Sequence, residues 1–206
     1  MRHLLMALLS MTVLFALSGC ALEPVQQPAM TQYQLVLPKS ESSTSGVVAP
    51  NKQPILLLQR MTASEPFNGK AMYFSQGEYS LGSYASHQWV APPQNMLTGL
   101  LNQYLTQHAG LFVVPGGYIG FSNYSLMSHL NSLMLLDKQS QLLLEVACTL
   151  KDNRTGKVIG QKEFKIESSA IVSPEGMVKA SSQASLQLAS EINQWLIASL
   201  KAQPEP

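Results

Sequence analysis

Three consecutive runs with strand character, near residues 124–137, 140–150 and 157–168, constrain this chain more than any other feature. The last two are joined through Asp152-Asn153-Arg154-Thr155-Gly156, a polar segment closing on glycine of the kind that turns one strand back along its neighbour. In the middle run Leu142, Leu144, Val146 and Leu150 point one way, while Leu143 and Ala147 make the opposite face less polar than usual. An antiparallel meander with an apolar face needs a covering layer. Two amphipathic helices supply it. One carries Met96, Leu97, Leu100, Leu101, Tyr104 and Leu105 at three- and four-residue spacings; it follows Pro92-Pro93, which suit a first helical turn, and it ends at Gly110. The other follows a Pro174-Glu175-Gly176 turn and carries Leu186, Ala189, Ile192, Leu196 and Leu200 on one stripe. The expected fold class is α+β: a mixed, largely antiparallel sheet with two main helices packed on one face, an α/β sandwich.

Shorter strands are expected at residues 33–37, 55–59 and 111–114, with a pair at 72–75 and 79–84 joined across Gln76-Gly77. The Ser-rich stretch from Ser40 to Gly46, followed by Pro50 and Pro54, reads as a long flexible loop.

The first nineteen residues stand apart from this pattern. Arg2 precedes an almost unbroken apolar stretch from Leu4 to Leu17, which reads as an export signal and not as part of the fold. Its end, Leu17-Ser18-Gly19-Cys20, resembles the lipobox of bacterial lipoproteins. That resemblance implies cleavage before Cys20 and a mature N-terminal cysteine carrying N-acyl and diacylglyceryl groups of palmitate type. Each buried methylene contributes about 0.8 kcal/mol, and two or three chains hold a protein firmly where one does not. Cys20 is therefore the expected lipid-attachment residue, and this covalent group is the only cofactor expected. Ala21 stands where an Asp commonly retains such products in the inner membrane, so the expected location is the periplasmic face of an outer membrane. The organisation reads as a signal peptide at 1–19, a lipidated Pro- and Gln-bearing tether at 20–31, one domain at 32–201 and a tail at 202–206.

Composition narrows the function classes. The chain has 13 Lys plus Arg against 12 Asp plus Glu, and loss of Arg2 with the leader leaves a formal balance of zero. No electrostatic footprint for nucleic acid remains, and no basic run after Cys20 attracts anionic headgroups. A lipidated Cys20 leaves Cys148 without an intramolecular partner, and its place in an alternating apolar run reads as a small buried hydrophobe. Zinc, redox and phosphate-loop motifs are missing from the sequence. His87, His108 and His129 fall in a pre-helix turn, a helix end and a strand. Glu78, Asp137, Glu145 and Asp152 pair only if the fold brings them together, and Gly116, Gly117 and Gly120 read as a strained turn better than as a phosphate cradle. No residue is assigned to catalysis or to a metal, and the chain is not expected to be an enzyme.

Aromatic residues cluster between Tyr73 and Trp89. Tyr79, Tyr84 and Trp89 are candidates for partner contact or for the core beneath the first helix, since Tyr and Trp are favoured in both settings.

The lipobox, Tyr33-Gln34-Leu35, the span from Tyr79 through Tyr84 to Trp89 and Pro92, the leucine-rich helix, and Gly156-Lys157-Val158 before a Trp195-bearing terminal helix together resemble the ABC-type transport auxiliary lipoproteins. This family includes the lipoprotein of the paraquat-inducible (Pqi) system. Leu130 and Leu133 depart from its pattern, which would be more polar and contain Phe. The resemblance implies a non-enzymatic envelope component that docks the distal end of an MCE-domain tunnel at the outer membrane, beside inner-membrane transporter components. Partners would be that tunnel protein, the membrane through the anchor, and phospholipid if the chain has an apolar groove. With 12% charged residues, the composition suits such a groove, an interface with further copies of the chain, or an ordinary core. The alternative from another class is an activator of a cell-wall synthase.

Overall fold

In chain order the strands are β1 (Thr31–Tyr33), β2 (Ile55–Leu58), β3 (Thr62–Ala63), β4 (Ala71–Gly77), β5 (Ser80–Trp89), β6 (Phe112–Pro115), β7 (Tyr124–Leu136), β8 (Gln141–Asp152) and β9 (Val158–Ser169). Helix α1 (Pro93–His108) follows β5, and α2 (Pro174–Lys201) follows β9. This computed structural model describes residues 29–38 and 53–202; the leader, Cys20 and most of the tether, the Ser40 to Gly46 segment and the last four residues lie outside the described residues.

β7 organises the sheet. Along one edge it pairs antiparallel with β8 over its whole length, and β8 pairs antiparallel with β9. Its other edge is shared in succession by three short parallel strands: β2 beside residues 124–126, β3 beside His129 and Leu130, and β4 beside residues 134–136. β6 then adds to β2, and β5 and β1 add to β4. The result is one mixed nine-stranded sheet whose long ladders are antiparallel and whose parallel ladders are short.

A bulge lets so long a strand keep its leucines on one side. Side chains alternate along a strand, so residues three apart normally face opposite ways. Between Leu130 and Ser132 the β7–β8 register shifts by one residue. The extra residue resets the alternation. Leu126, Leu130, Leu133 and Leu135 are in consequence all buried in the core. This accounts for Leu130 and Leu133, the two positions at odds with the family pattern.

Both helices cover this leucine face, α2 over β8 and β9, α1 over β6, with the helices touching each other. α1 buries Pro93, Leu97, Leu101 and Leu105. Gly110, at φ +66°, ends it in the left-handed conformation that glycine adopts without steric cost. In α2 the buried line runs through Met177, Ala184, Leu188, Ile192 and Leu196, accompanied by Ser181, Ser182 and Ser185. Leu186 and Leu200, expected on that line, are only half-buried, and Leu188 takes the core position. Small residues bring the helix close to the sheet, and Ser185 Oγ meets its own hydrogen-bonding need by donating to Ser181 O at 2.7 Å.

β5 continues to Trp89, past the expected end at residue 84, and two further boundaries differ from expectation. β1 occupies residues 31–33, not 33–37, because beyond Tyr33 the backbone bonds to a helix instead of a strand: Val36 N donates to Ser182 Oγ at 3.3 Å. Pro174, Glu175 and Gly176 form the first turn of α2 and not a preceding loop, with Ser173 Oγ capping Gly176 N at 3.0 Å.

Two glycines give opposite expectations. A Cβ on Gly99, inside α1, would meet nothing within 4 Å, so Gly99→Ala should raise stability by about 0.8–1 kcal/mol through helix propensity alone. A Cβ on Gly176 would lie 2.1 Å from Ile171 O, so Gly176→Ala should destabilise by forcing the start of α2 away from that carbonyl. Urea unfolding of both variants should move the midpoint up for the first and down for the second.

Candidate functional site

Ser64 Oγ lies 2.9 Å from His129 Nε2, the spacing of a nucleophile and its base, and Thr62 Oγ1 lies 2.7 Å from Nδ1. The position that a carboxylate occupies in a working triad is held here by a hydroxyl, which gives an imidazolium no counter-charge. These bonds have a structural use, fastening β3, whose ladder to β7 is only two residues long. His87 lies in β5 between Tyr33 and Tyr84, with ring centroids at 5.9 and 6.1 Å, and not in a pre-helix turn. His108 stacks on Tyr104 at 4.1 Å in the last turn of α1. The three histidines sit on three separate elements, and among the described residues no group of three His, Cys, Asp or Glu could hold a metal.

The acidic candidates are equally dispersed. Glu78 is at the β4–β5 turn, Asp137 in a short 3-10 turn before β8, Glu145 mid-strand and Asp152 at the end of β8. Asp152 Oδ1 accepts from the backbone of Arg154 at 2.7 Å and Thr155 at 3.1 Å. The Thr155 bond, supported by the others, holds this carboxyl below its usual range; its role is to shape the hairpin. Burial pushes the Cys148 thiol up to about 12, which leaves it protonated and inert at neutral pH.

The aromatic candidates part company. Trp89 is fully buried in the core. Tyr84 is half-buried against Phe74 at 4.9 Å, and burial raises its pKa, with Asp137 and Glu175 adding to the effect. Tyr79 is 94% exposed at the β4–β5 turn. Of the three, it alone is free to touch a partner with its whole side chain. Trp195 packs inward, edge-on to Phe164 at 5.9 Å.

Tyr79 belongs to one of two apolar ends of the sheet. At its end the β4–β5 turn, the turn at 137–140 and the loop before α2 converge: a Cβ on Gly77 would lie 3.8 Å from Lys138 Nζ, and Ala170 N donates to Ser140 O at 2.8 Å. Exposed here are Tyr79, Leu81, Ile171 (76%) and Val172. β1 runs parallel to β5 and away from the turn that carries Tyr79, starting beside His87. The opposite end gathers the β6–β7 loop and the β8–β9 hairpin. Asn153 ties them, donating through Nδ2 to Ser122 Oγ at 2.8 Å and through its backbone to Asn123 O at 2.9 Å. From this braced base Ile119 and Phe121 project, 99% and 63% exposed, beside the half-exposed Tyr118. Gly116 fits where a Cβ would press within 3.2 Å of Arg60 N, and Gly117 is left-handed at φ +98°, so the glycines shape the loop that presents them. Ile119, Phe121 and Ile171 were not singled out from sequence; the available signal was large apolar residues set among Gly, Pro and Ser, where solvation usually excludes them.

A cleft of about 1050 Å³ opens between the outer faces of α1 and α2. Its walls mix the amides of Gln103, Gln107, Gln183 and Gln187 with the apolar surfaces of Leu37, Pro38, Tyr104 and Leu186.

Tyr33 OH donates to Glu175 Oε1 at 2.5 Å and joins β1 to the first turn of α2. This bond is the main reason that Tyr33 is raised to about 12 and Glu175 is lowered. For Glu175 the folded value lies below the unfolded one, so its contribution is present above the unfolded carboxylate range and is lost as pH falls through the folded value. For Tyr33 the contribution is present below pH 10 and is lost as pH rises towards 12. Tyr33→Phe should flatten both limbs, and thermal melts from acid through neutral to alkaline pH should show the variant losing less stability at each extreme.

Residues 33–193 match the family model of the ABC-type transport auxiliary lipoprotein component. Protein XCC0632 from Xanthomonas campestris is similar in fold, with a TM-score of 0.68 at 16% identity over 83% of this chain and 97% of that one. A second solved structure, of an uncharacterized protein, gives 0.68 at 15% identity over 82% and 99%. A hypothetical protein, CT253 from Chlamydia trachomatis, is more distant, at 0.49 and 6% identity over 71% and 99%. No curated protein matches the chain. The matched span takes in every strand from β2 to β9, all of α1 and most of α2, and the chain belongs to the ABC-type transport auxiliary lipoprotein family.

Proposed function

We propose that this protein is a lipoprotein anchored through Cys20 to the periplasmic face of the outer membrane, where it docks the distal end of an MCE-domain tunnel of the Pqi type. Family membership supplies the transport role. The observation that carries the docking reading is the apolar tip formed by Ile119 and Phe121, held on a hydrogen-bonded base at the end of the sheet opposite the Tyr79 turn. Large side chains so exposed gain most by burial against a partner. Among the described residues no helix is long and apolar enough to cross a membrane, which leaves the proposed acyl anchor to hold the protein there.

An affinity pull-down from mildly solubilised membranes, with mass spectrometry of proteins and lipids, tests this. The tagged wild type should recover an MCE-domain protein, and Ile119→Asp with Phe121→Asp should abolish that recovery without unfolding the domain. Cys20→Ser should release the protein from membranes and sensitise cells to detergent as deletion does. Recovery of a cell-wall synthase with no MCE-domain protein would sink the docking reading.

A further inference from the structure

We propose that the Tyr79 end of the sheet is a membrane-contact surface that rests on zwitterionic phospholipid, so that the domain stands upright on its anchor instead of hanging free. The inference rests on acylation at Cys20. Only eight residues lie between Cys20 and Ala29, where the described chain begins, and even fully extended this stretch spans about 30 Å. β7 alone is 13 residues, about 43 Å of strand. β1 starts beside His87, seven residues along β5 from Ser80, and runs away from the Tyr79 turn, so a tether of this length extends past that end and can bring it to the bilayer.

The near end has the chemistry of a lipid interface. Tyr79, at 94% exposure, offers a ring with a polar tip, the type of side chain enriched at headgroup level. Ile171 and Val172, in the loop before α2, and Leu81, beside the β4–β5 turn, add aliphatic surface on the same rim. Glu78, Asp137 and Glu175 outnumber Lys138 there. An acidic rim is repelled by anionic lipid. It therefore selects neutral headgroups, and the acyl anchor supplies the adhesion that a few side chains alone could not.

The test uses full-length acylated protein on phosphatidylethanolamine–phosphatidylcholine vesicles containing a lipid-borne quencher. A fluorophore is attached to Ile171→Cys or, in a second sample, to Ile119→Cys; Cys148 is buried and its thiol pKa is about 12, so it stays unlabelled. Both proteins should float with the vesicles. The label at 171 should be quenched several-fold more than the label at 119, and phosphatidylglycerol should reduce the difference. Adding Tyr79→Asp to the first sample should reduce quenching while flotation persists. Equal quenching at the two sites, or stronger quenching at 119, in protein that floats would overturn the contact surface and leave the anchor intact. Failure to float would remove the anchor and the inference with it.

Discussion

One strand carries the fold. β7 gives one whole edge to β8 and divides the other among β2, β3 and β4, so two different sub-sheets meet on a single backbone. This works only if its leucines stay on the helix-covered side for thirteen residues. The bulge after Leu130 provides that by resetting the alternation once, midway. Without the extra residue, Leu133 and Leu135 would turn to the uncovered face, and the core under α1 and α2 would lose its centre.

The helices answer that constraint differently. α1 fills its side with leucines at regular spacing. α2 lies against the meander through alanines and serines, with Phe164 and Trp195 filling the space that small residues leave near its C-terminal half. Of its buried serines, Ser185 bonds within the helix and Ser182 accepts from Val36 N, whereas Ser181 Oγ has no hydrogen-bond partner.

Much of this was legible in the sequence, and what was not has a common cause. The β7–β9 meander and both helices were readable because their signals are local: alternation, helical spacing and a polar turn. β3 was not, since two residues make no pattern and it exists through bonds to His129, 65 to 67 positions away. β1 was displaced because residues 34–38 look like a strand but find a helix beside them. Tyr79, Tyr84 and Trp89 were indistinguishable as a sequence cluster, yet β5 runs from an exposed turn to the centre of the core and so gives each a different depth. The two apolar ends were illegible for a further reason: parallel crossovers decide which loops share an end, and nothing local reports them.

The placement of β1 also determines how the molecule bears load. If one end of the sheet is held by lipid and the other by a tunnel, tension enters at Thr31 and runs along the strand axis. β1 lies parallel to β5, so its hydrogen bonds are strained together in shear and do not open one after another. The Tyr33 bond to Glu175 adds a second attachment at the same point and passes part of the pull directly into α2. Movement of the envelope would thus be resisted by sheet and helix jointly, in a strand only three residues long.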